Sequence, residues 1–352
     1  MSNAEAAFAI PGDIETRTGG YIYDRRVLEE LRAAGHAIAH CQLPGSYPNP
    51  DAAGVAASLD ALNACEGSVL VDGLAWGALP HDAARRVAPP VIALCHHPLG
   101  LEAGLSEEQA KWFTDNETQN LALARRVVVT SAATAATLTQ DFAVPGEKIA
   151  VAEPGIDPAL RATGSGGADV ELLCVGALIP RKGYDVLIDA LAQLTDLPWR
   201  LRVAGSHARA PNTAADITRR IAEAGLGGRI QLVGELERKE LDVVYARSDV
   251  FVLSSHYEGY GMVLAEAMAC GLPVVTTTGG AAASTVPGGA ALKVPPGDSA
   301  ALADALRRAM IDSDLREQLA EASWKAGQEL PRWSETAAIV AAAIEDVRRQ
   351  AQ

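Results

Sequence analysis

The residues best placed for chemistry are two acids, Glu258 and Glu266, in the run Ser254-Ser255-His256-Tyr257-Glu258-Gly259-Tyr260-Gly261-Met262-Val263-Leu264-Ala265-Glu266-Ala267-Met268-Ala269-Cys270-Gly271-Leu272-Pro273. The stretch from Gly261 predicts a helix that is apolar on nearly every side and therefore buried. Glu266 is the one carboxylate within it. An ionised carboxylate buried without partners is strongly disfavoured, so something polar must meet it. A ligand diol fits, since one carboxylate accepts from two vicinal hydroxyls; a nearby Arg is the structural alternative. Glu258 stands just before the helix, where it is either a ligand contact or a loop acid. Gly259 and Gly261 leave backbone amides unshielded. The helix start offers unpaired N–H groups and a positive dipole end to an anion such as a diphosphate.

A second group follows an apolar run: Val175-Gly176-Ala177-Leu178-Ile179-Pro180-Arg181-Lys182-Gly183. This reads as a strand-end loop carrying two cations. Lys182 suits a diphosphate as a point charge and Arg181 can fork onto it; a solvated basic turn is the alternative. His96 and His97 end another apolar run, and neighbours on a strand point to opposite sides. Metal binding there fails for want of a third ligand at sensible spacing. Gly19 and Gly20, with Arg17 beside them, follow the first apolar run and predict a loop. Gly205-Ser206-His207 and Val233-Gly234-Glu235-Leu236 are further strand ends.

The elements that must hold these groups are short apolar runs alternating with helical patterns. In the first half the strands are Ala7 to Ile10, Val69 to Val71, Val91 to Cys95 and Val127 to Thr130. Helices run from Tyr23 to Ala34 and from Ser106 to Arg125, the latter capped by Ser106 with Glu107 and Glu108 in its first turn. The polar, Gly-rich Arg161 to Ala168 predicts a linker. After it strands at Leu172, Leu201, Ile230, Val250 and Val274 alternate with helices. A helical tail from Ser299 breaks at Pro331, and Pro331-Arg332-Trp333-Ser334 opens a last helix. This alternation predicts two doubly wound parallel sheets with helices on both faces, and ligands at the carboxyl ends of the strands.

The 352 residues suit two domains, and 49% apolar content supplies a core for each. The net charge is −14: residues 1–155 hold 10 Lys and Arg against 19 Asp and Glu, and the remainder holds 20 against 25. That balance argues against nucleic-acid binding and strong attachment to an anionic membrane. The five Cys form no CxxC pair and read as small buried thiols of a reducing compartment. With no signal peptide and no membrane span in the sequence, the expected location is cytoplasmic.

The spacing Glu258-x7-Glu266, the wording Glu-Gly-Tyr-Gly-Met-Val-Leu-Ala-Glu-Ala and the following Gly271-Leu272-Pro273-Val274-Val275 resemble family 4 retaining glycosyltransferases. The similarity covers most of the chain and is strongest from Val170 to about Pro296. It implies a GT-B fold: two Rossmann-like doubly wound parallel-sheet domains facing a central cleft. Their expected limits are residues 1–157, with a C-terminal helix over 331–352 packing back on it, and residues 158–330 for the nucleotide-sugar domain. Pro154-Gly155-Ile156-Asp157 resembles the family's crossover between them.

By this resemblance Glu266 binds the donor ribose and Glu258 the donor sugar, while amides around Gly259, Tyr260, Gly261 and Met262 touch sugar and phosphate. Lys182 and Arg181 stabilise the leaving diphosphate. The turn at Leu236 reads the base, and Gly19 and Gly20 form a loop near the donor phosphates. His97 is the expected sugar-contacting His, with Arg17 and His96 on the acceptor. The catalytic set is then Glu258, Lys182 and His97. Many members carry an Arg where this chain has Ala177.

The implied reaction is retaining hexosyl transfer to a hydroxyl acceptor by front-face attack, with no metal and no cofactor beyond a UDP- or GDP-linked sugar. A soluble acceptor is favoured over a membrane lipid, and the oligomeric state is not readable. The alternatives are a nucleotide-sugar epimerase, a glycan phosphorylase, for which no convincing pyridoxal-phosphate lysine site is visible, and a non-catalytic sugar-nucleotide-binding partner.

Overall fold

Runs rich in Val, Ile and Leu that are hydrophobic on both faces form strands buried on both faces, which requires helices above and below. The computed structural model describes residues 4–350. It divides into one unit of Met1–Gly155 with Pro331–Gln352 and another of Ile156–Leu330.

The first unit runs β1 (Ala6–Pro11), α1 (Gly19–Ala33), β2 (Ile38–Leu43), α2 (Ala52–Asn63), β3 (Ser68–Asp72), α3 (Gly73–Ala78), α4 (His81–Ala84), β4 (Val91–Cys95), α5 (Glu107–Leu123), β5 (Arg126–Val129), α6 (Ala132–Asp141) and β6 (Ile149–Val151). The second runs β7 (Val170–Val175), α7 (Tyr184–Ala192), β8 (Trp199–Ala204), α8 (Pro211–Glu223), β9 (Ile230–Gly234), α9 (Arg238–Ala246), β10 (Val250–Leu253), α10 (Met262–Ala269), β11 (Val274–Thr277), α11 (Ala282–Thr285), β12 (Ala291–Val294), α12 (Ser299–Ile311) and α13 (Ser313–Gln328). The final helix, α14 (Trp333–Gln350), belongs to the first unit. There Trp333 meets Tyr23 of α1 at 5.8 Å between rings, and Thr336 Oγ1 donates to the Glu153 carbonyl at 2.7 Å.

Each unit holds a six-stranded sheet, ordered β2-β1-β3-β4-β5-β6 and β12-β11-β10-β7-β8-β9, and every pairing is parallel. Both orders reverse direction beside the unit's first strand, between β1 and β3 and between β7 and β10. Loops leaving the carboxyl ends there diverge and open a crevice, which is where doubly wound sheets take ligands. Two Rossmann-like units of this kind make the GT-B fold.

Several sequence expectations need correction. Helix α1 begins at Gly19, because Thr18 caps it, its Oγ1 accepting from Tyr21 N at 3.4 Å. Gly19 and Gly20 therefore lie in a first helical turn and not in a loop. The segment from Arg161 to Ala168 is no free linker: Ala162 N–H donates to Cys270 O, Thr163 N–H to Ala246 O and Ser165 N–H to Asp249 Oδ1. It is strapped to the second unit. The tail after Ser299 is two helices, divided at Asp312, whose Oδ1 accepts from Leu315 N. Edge strand β2 carries His40 and Gln42, and its polar pattern concealed it.

Helix α13 fixes α10 from behind. A Cβ on Gly327 would stand 2.3 Å from Met268 O, so the two backbones touch only because residue 327 has no side chain. Gly327→Ala is expected to destabilise the fold by about 1–3 kcal/mol through overpacking, read as a lowered urea midpoint. Among the described residues no helix is long and apolar enough to cross a membrane.

Candidate active site

The loop after β7 makes a single tight turn over Pro180–Lys182, closed by Gly183 at φ 61°. A Cβ there would meet Ser254 O at 2.3 Å, so this left-handed position presses directly on the end of β10. The contact is reinforced by His256 N–H donating to Arg181 O at 2.8 Å and Ser254 Oγ to Lys182 O at 3.0 Å. These bonds bring Arg181 and Lys182 onto the loop that carries Glu258.

Glu258 is held from the other side too. Its N–H donates to Gly279 O and its carbonyl accepts from Ala281 N. Its carboxylate, with a side chain 6% exposed, accepts from Lys182 Nζ at 2.7 Å and lies 3.4 Å from Arg181 Nη1. Arg181 Nη1 also donates to Tyr257 O at 2.8 Å. Burial alone would raise the pKa of Glu258; the Lys182 and Arg181 charges more than offset that and hold it at about 2. Beyond it Gly261, at φ 89°, opens α10, whose first-turn amides at Met262 and Val263 have no intrahelical acceptor.

Glu266 faces a different set of partners. Arg238 Nη1 donates to its Oε1 at 3.1 Å and the Tyr245 hydroxyl to its Oε2 at 2.9 Å. Burial still lifts its pKa, with Arg238 and Tyr245 opposing. The sequence argument that an unmet buried carboxylate demands a ligand diol is thereby corrected: the protein supplies an Arg and a Tyr. Both stand on α9, seven residues apart and so on one face; that spacing was the signal available in the sequence. Leu236 lies half-buried in the turn before α9, and Gly259 in the loop before α10. Tyr260 turns its ring into a packed cluster with Ile156, Ala265 and Ala269, while Met262 packs at its edge.

In the first unit the structure assembles a group that sequence spacing missed. His96 Nε2 lies 2.9 Å from Asp24 Oδ1 and 3.3 Å from Asp72 Oδ2. Asp24 comes from α1, Asp72 ends β3 and His96 follows β4, all at the sheet's reversal point. Gly20 lies against the His96 ring, where an added Cβ would stand 3.4 Å from Cδ2. Tyr23 packs edge-on at 5.1 Å. Burial and the Asp72 charge raise Asp24 to about 7; burial works against the His96 charge, but the two carboxylates outweigh it and lift His96 to about 10. His97 instead faces Glu102, at 3.5 Å. So His96, and not the favoured His97, joins the charged cluster. Arg17 is exposed. The spacing argument against metal ligands is also corrected, since donor atoms of Asp24, Asp72 and His96 lie within 4.8 Å of one another although they are far apart in sequence.

The loop bearing both His residues is tied down by Glu117 of α5, whose Oε2 accepts from Leu99 N–H at 2.9 Å. Burial raises Glu117 to about 8.

Comparisons with known proteins agree with this architecture. Residues 159–326 match the family model for glycosyl transferases group 1, and residues 68–160 that for glycosyltransferase family 4. A D-inositol 3-phosphate glycosyltransferase from Xylanimonas cellulosilytica is 32% identical over 181 residues, 51% of this chain and 42% of that protein. The lipopolysaccharide core biosynthesis mannosyltransferase LpsB of Rhizobium meliloti is 35% identical over 150 residues, 41% of this chain and 39% of that protein. The chain thus spans about half or less of the length of the curated relatives it matches. Among solved structures, sucrose-phosphate synthase from Thermosynechococcus elongatus superposes with a TM-score of 0.83 at 23% identity, covering 99% of both chains. HepE from Anabaena, solved with UDP and glucose, gives 0.76 at 17% identity over 97% of this chain and 99% of its own. These matches place residues 159–326 with the glycosyl transferases group 1 and residues 68–160 with glycosyltransferase family 4, and the solved structures share the two-unit GT-B fold.

Two stability predictions follow from the charges. Lys182→Met removes the nearer of the two cations on the buried Glu258 carboxylate, leaving Arg181, and should cost about 3 kcal/mol at neutral pH. The Glu258 pKa is depressed from 4.5 to about 2, so its stabilising contribution is present above 4.5 and lost as pH falls toward 2. Urea midpoints of wild type and variant should therefore converge across that window. Glu117 has the opposite sign. Its folded pKa is raised from 4.5 to about 8, so stability is lost as pH rises between those values. Glu117→Gln, which cannot ionise, should gain on the wild type from pH 5 to pH 8 in the same measurement.

Proposed function

We propose that the protein moves a hexosyl group from a nucleotide diphosphate sugar to a hydroxyl acceptor, with retention at the anomeric carbon. The observation that carries this reading is the conjunction, at the reversal point of the second sheet, of two cations, a helix N-terminus and two carboxylates. Lys182 Nζ and the Arg181 guanidinium lie within 4 Å of one carboxylate beside the start of α10, with Glu266 one turn further along. Fixed cations and unpaired amides act where negative charge develops, which for this reaction is the departing diphosphate. Arg181, on the same turn as Lys182, stands in for the cation that Ala177 cannot supply.

In this reading Glu266 receives the ribose hydroxyls while Arg238 and Tyr245 hold its carboxylate in place. Glu258 orients the sugar, the amides from Gly259 to Met262 meet sugar and phosphate, and the turn at Leu236 meets the base. The solved HepE structures with UDP, glucose and UDP-glucose support a uridine donor, and a guanosine donor is the other choice. The His96 cluster at the reversal point of the first sheet, with Arg17 nearby in sequence, forms the acceptor group. The reading needs no metal, because the second unit's own cations face the diphosphate. It takes the acceptor to be soluble and the location to be cytoplasmic.

A thermal-shift panel of UDP- and GDP-linked sugars tests the donor, since a bound ligand stabilises the fold by mass action. One class of nucleotide sugar should raise the midpoint. Glu266→Ala should weaken that shift about tenfold or more in concentration, and Lys182→Ala should lower donor turnover by roughly 100-fold or more, the scale of removing one fixed transition-state donor. Normal turnover by both variants would refute the site assignment.

A further inference from the structure

Both cations of the proposed donor site are already engaged by a carboxylate. Glu258 Oε1 accepts from Lys182 Nζ at 2.7 Å and Oε2 lies 3.4 Å from Arg181 Nη1, with the Glu258 side chain 6% and the Lys182 side chain 11% exposed. A phosphate oxygen that is to meet Lys182 must take the place of a carboxylate oxygen of the same charge type. The loop geometry keeps the carboxylate nearby whatever enters. Gly279 O and Ala281 N clamp the Glu258 backbone, and Gly183 presses the basic turn against Ser254 O.

We propose that Glu258 is a specificity-determining residue that competes with the diphosphate for Lys182 and Arg181, so that the site selects a glycosylated diphosphate over a bare one. This rests on the donor reading above. The logic is one of exchange. When a diphosphate draws Lys182 away, Glu258 is left buried and must find other donors or carry the full penalty of an unpaired charge. A sugar on the diphosphate brings hydroxyls that donate to the carboxylate, so each partner lost is replaced. Pyrophosphate brings none, and the ribose hydroxyls of a free nucleoside diphosphate are taken by Glu266 in the donor reading. Once the sugar has been transferred, Glu258 loses its hydroxyl donors and returns to Lys182 and Arg181, displacing the product. The pair that looks like a structural salt bridge thus works as a product-release device.

The test uses inorganic pyrophosphate as probe, which has phosphate charge but neither base nor sugar, with UDP and GDP as further arms. Isothermal titration of the 352-residue chain should show Glu258→Gln binding pyrophosphate more tightly than wild type by about tenfold or more, the scale of one charge-assisted hydrogen bond no longer contested. Glu258→Asp, which shortens the reach to Lys182 by one methylene, should show a smaller gain in the same direction; it decides the matter if Glu258→Gln does not fold by near-ultraviolet circular dichroism. Equal or weaker pyrophosphate binding by the folded variant overturns the proposal, as does absence of binding by both wild type and variant. Turnover of nucleotide sugars by the wild type is scored separately. Turnover without tighter pyrophosphate binding removes the competition and leaves the donor reading standing. Tighter pyrophosphate binding without turnover of any nucleotide sugar does the reverse.

Discussion

The ion cluster of Lys182, Arg181 and Glu258 is the constraint on which the second unit's geometry turns. Two cations lie within 4 Å of one carboxylate in a site that is largely closed to solvent. Such an arrangement is tolerable only when every member is held in register, because loss of one leaves the others buried and uncompensated. The sheet order meets that demand. Placing β10 next to β7 brings two loops from residues 76 positions apart into direct backbone contact. Gly183 allows that contact because a side chain there would strike the Ser254 carbonyl, and Gly280, after β11, likewise lets its own loop approach the Glu258 carbonyl from the other side. The charge cluster and the parallel topology are therefore two aspects of one arrangement.

The two units are both doubly wound parallel sheets, with different strand orders and opposite local charge. At the reversal point of the second sheet two cations face one carboxylate; at that of the first, two carboxylates face one imidazole. The former has positive charge to spare for an anion. In the latter the imidazole ring is held by carboxylates on its Nε2 side and by Tyr23 edge-on, which suits the orientation of a ring and the sharing of protons more than the capture of an anion. Two parallel sheets thus carry chemically distinct clusters through the choice of residues beside their reversal points, as expected where chemistry resides in residues grafted onto a scaffold.

Glu266 shows how stability and binding are interleaved. Its carboxylate is satisfied by Arg238 and Tyr245, so the helix can be buried in the absence of any ligand. The same two bonds fix the rotamer and leave acceptor capacity on both oxygens. Gly327 behind α10 completes the support by letting α13 approach the Met268 carbonyl.

How much of this was legible in the sequence follows from the range of each interaction. Strand and helix alternation, the two-unit α/β class, the buried character of α10 and the two separate candidate motifs, Arg181-Lys182 and Glu258 to Glu266, are local properties, set by hydrophobic period, glycine placement and short spacing. The start of α1 at Gly19 was missed because a Thr cap outweighed two glycines, and the supposed linker at 161–168 was missed because its hydrogen bonds run to residues 246–270. Long-range pairing alone decided who meets whom. Asp24, Asp72 and His96 converge only once β1, β3 and β4 lie side by side, and Glu258 meets Lys182 only once β10 pairs with β7. The sequence by itself determined which residues carry charge and which segments bury it. The tertiary structure decided which charges neutralise one another, because electrostatic partnership depends on distance in space and a parallel sheet sets those distances independently of separation along the chain.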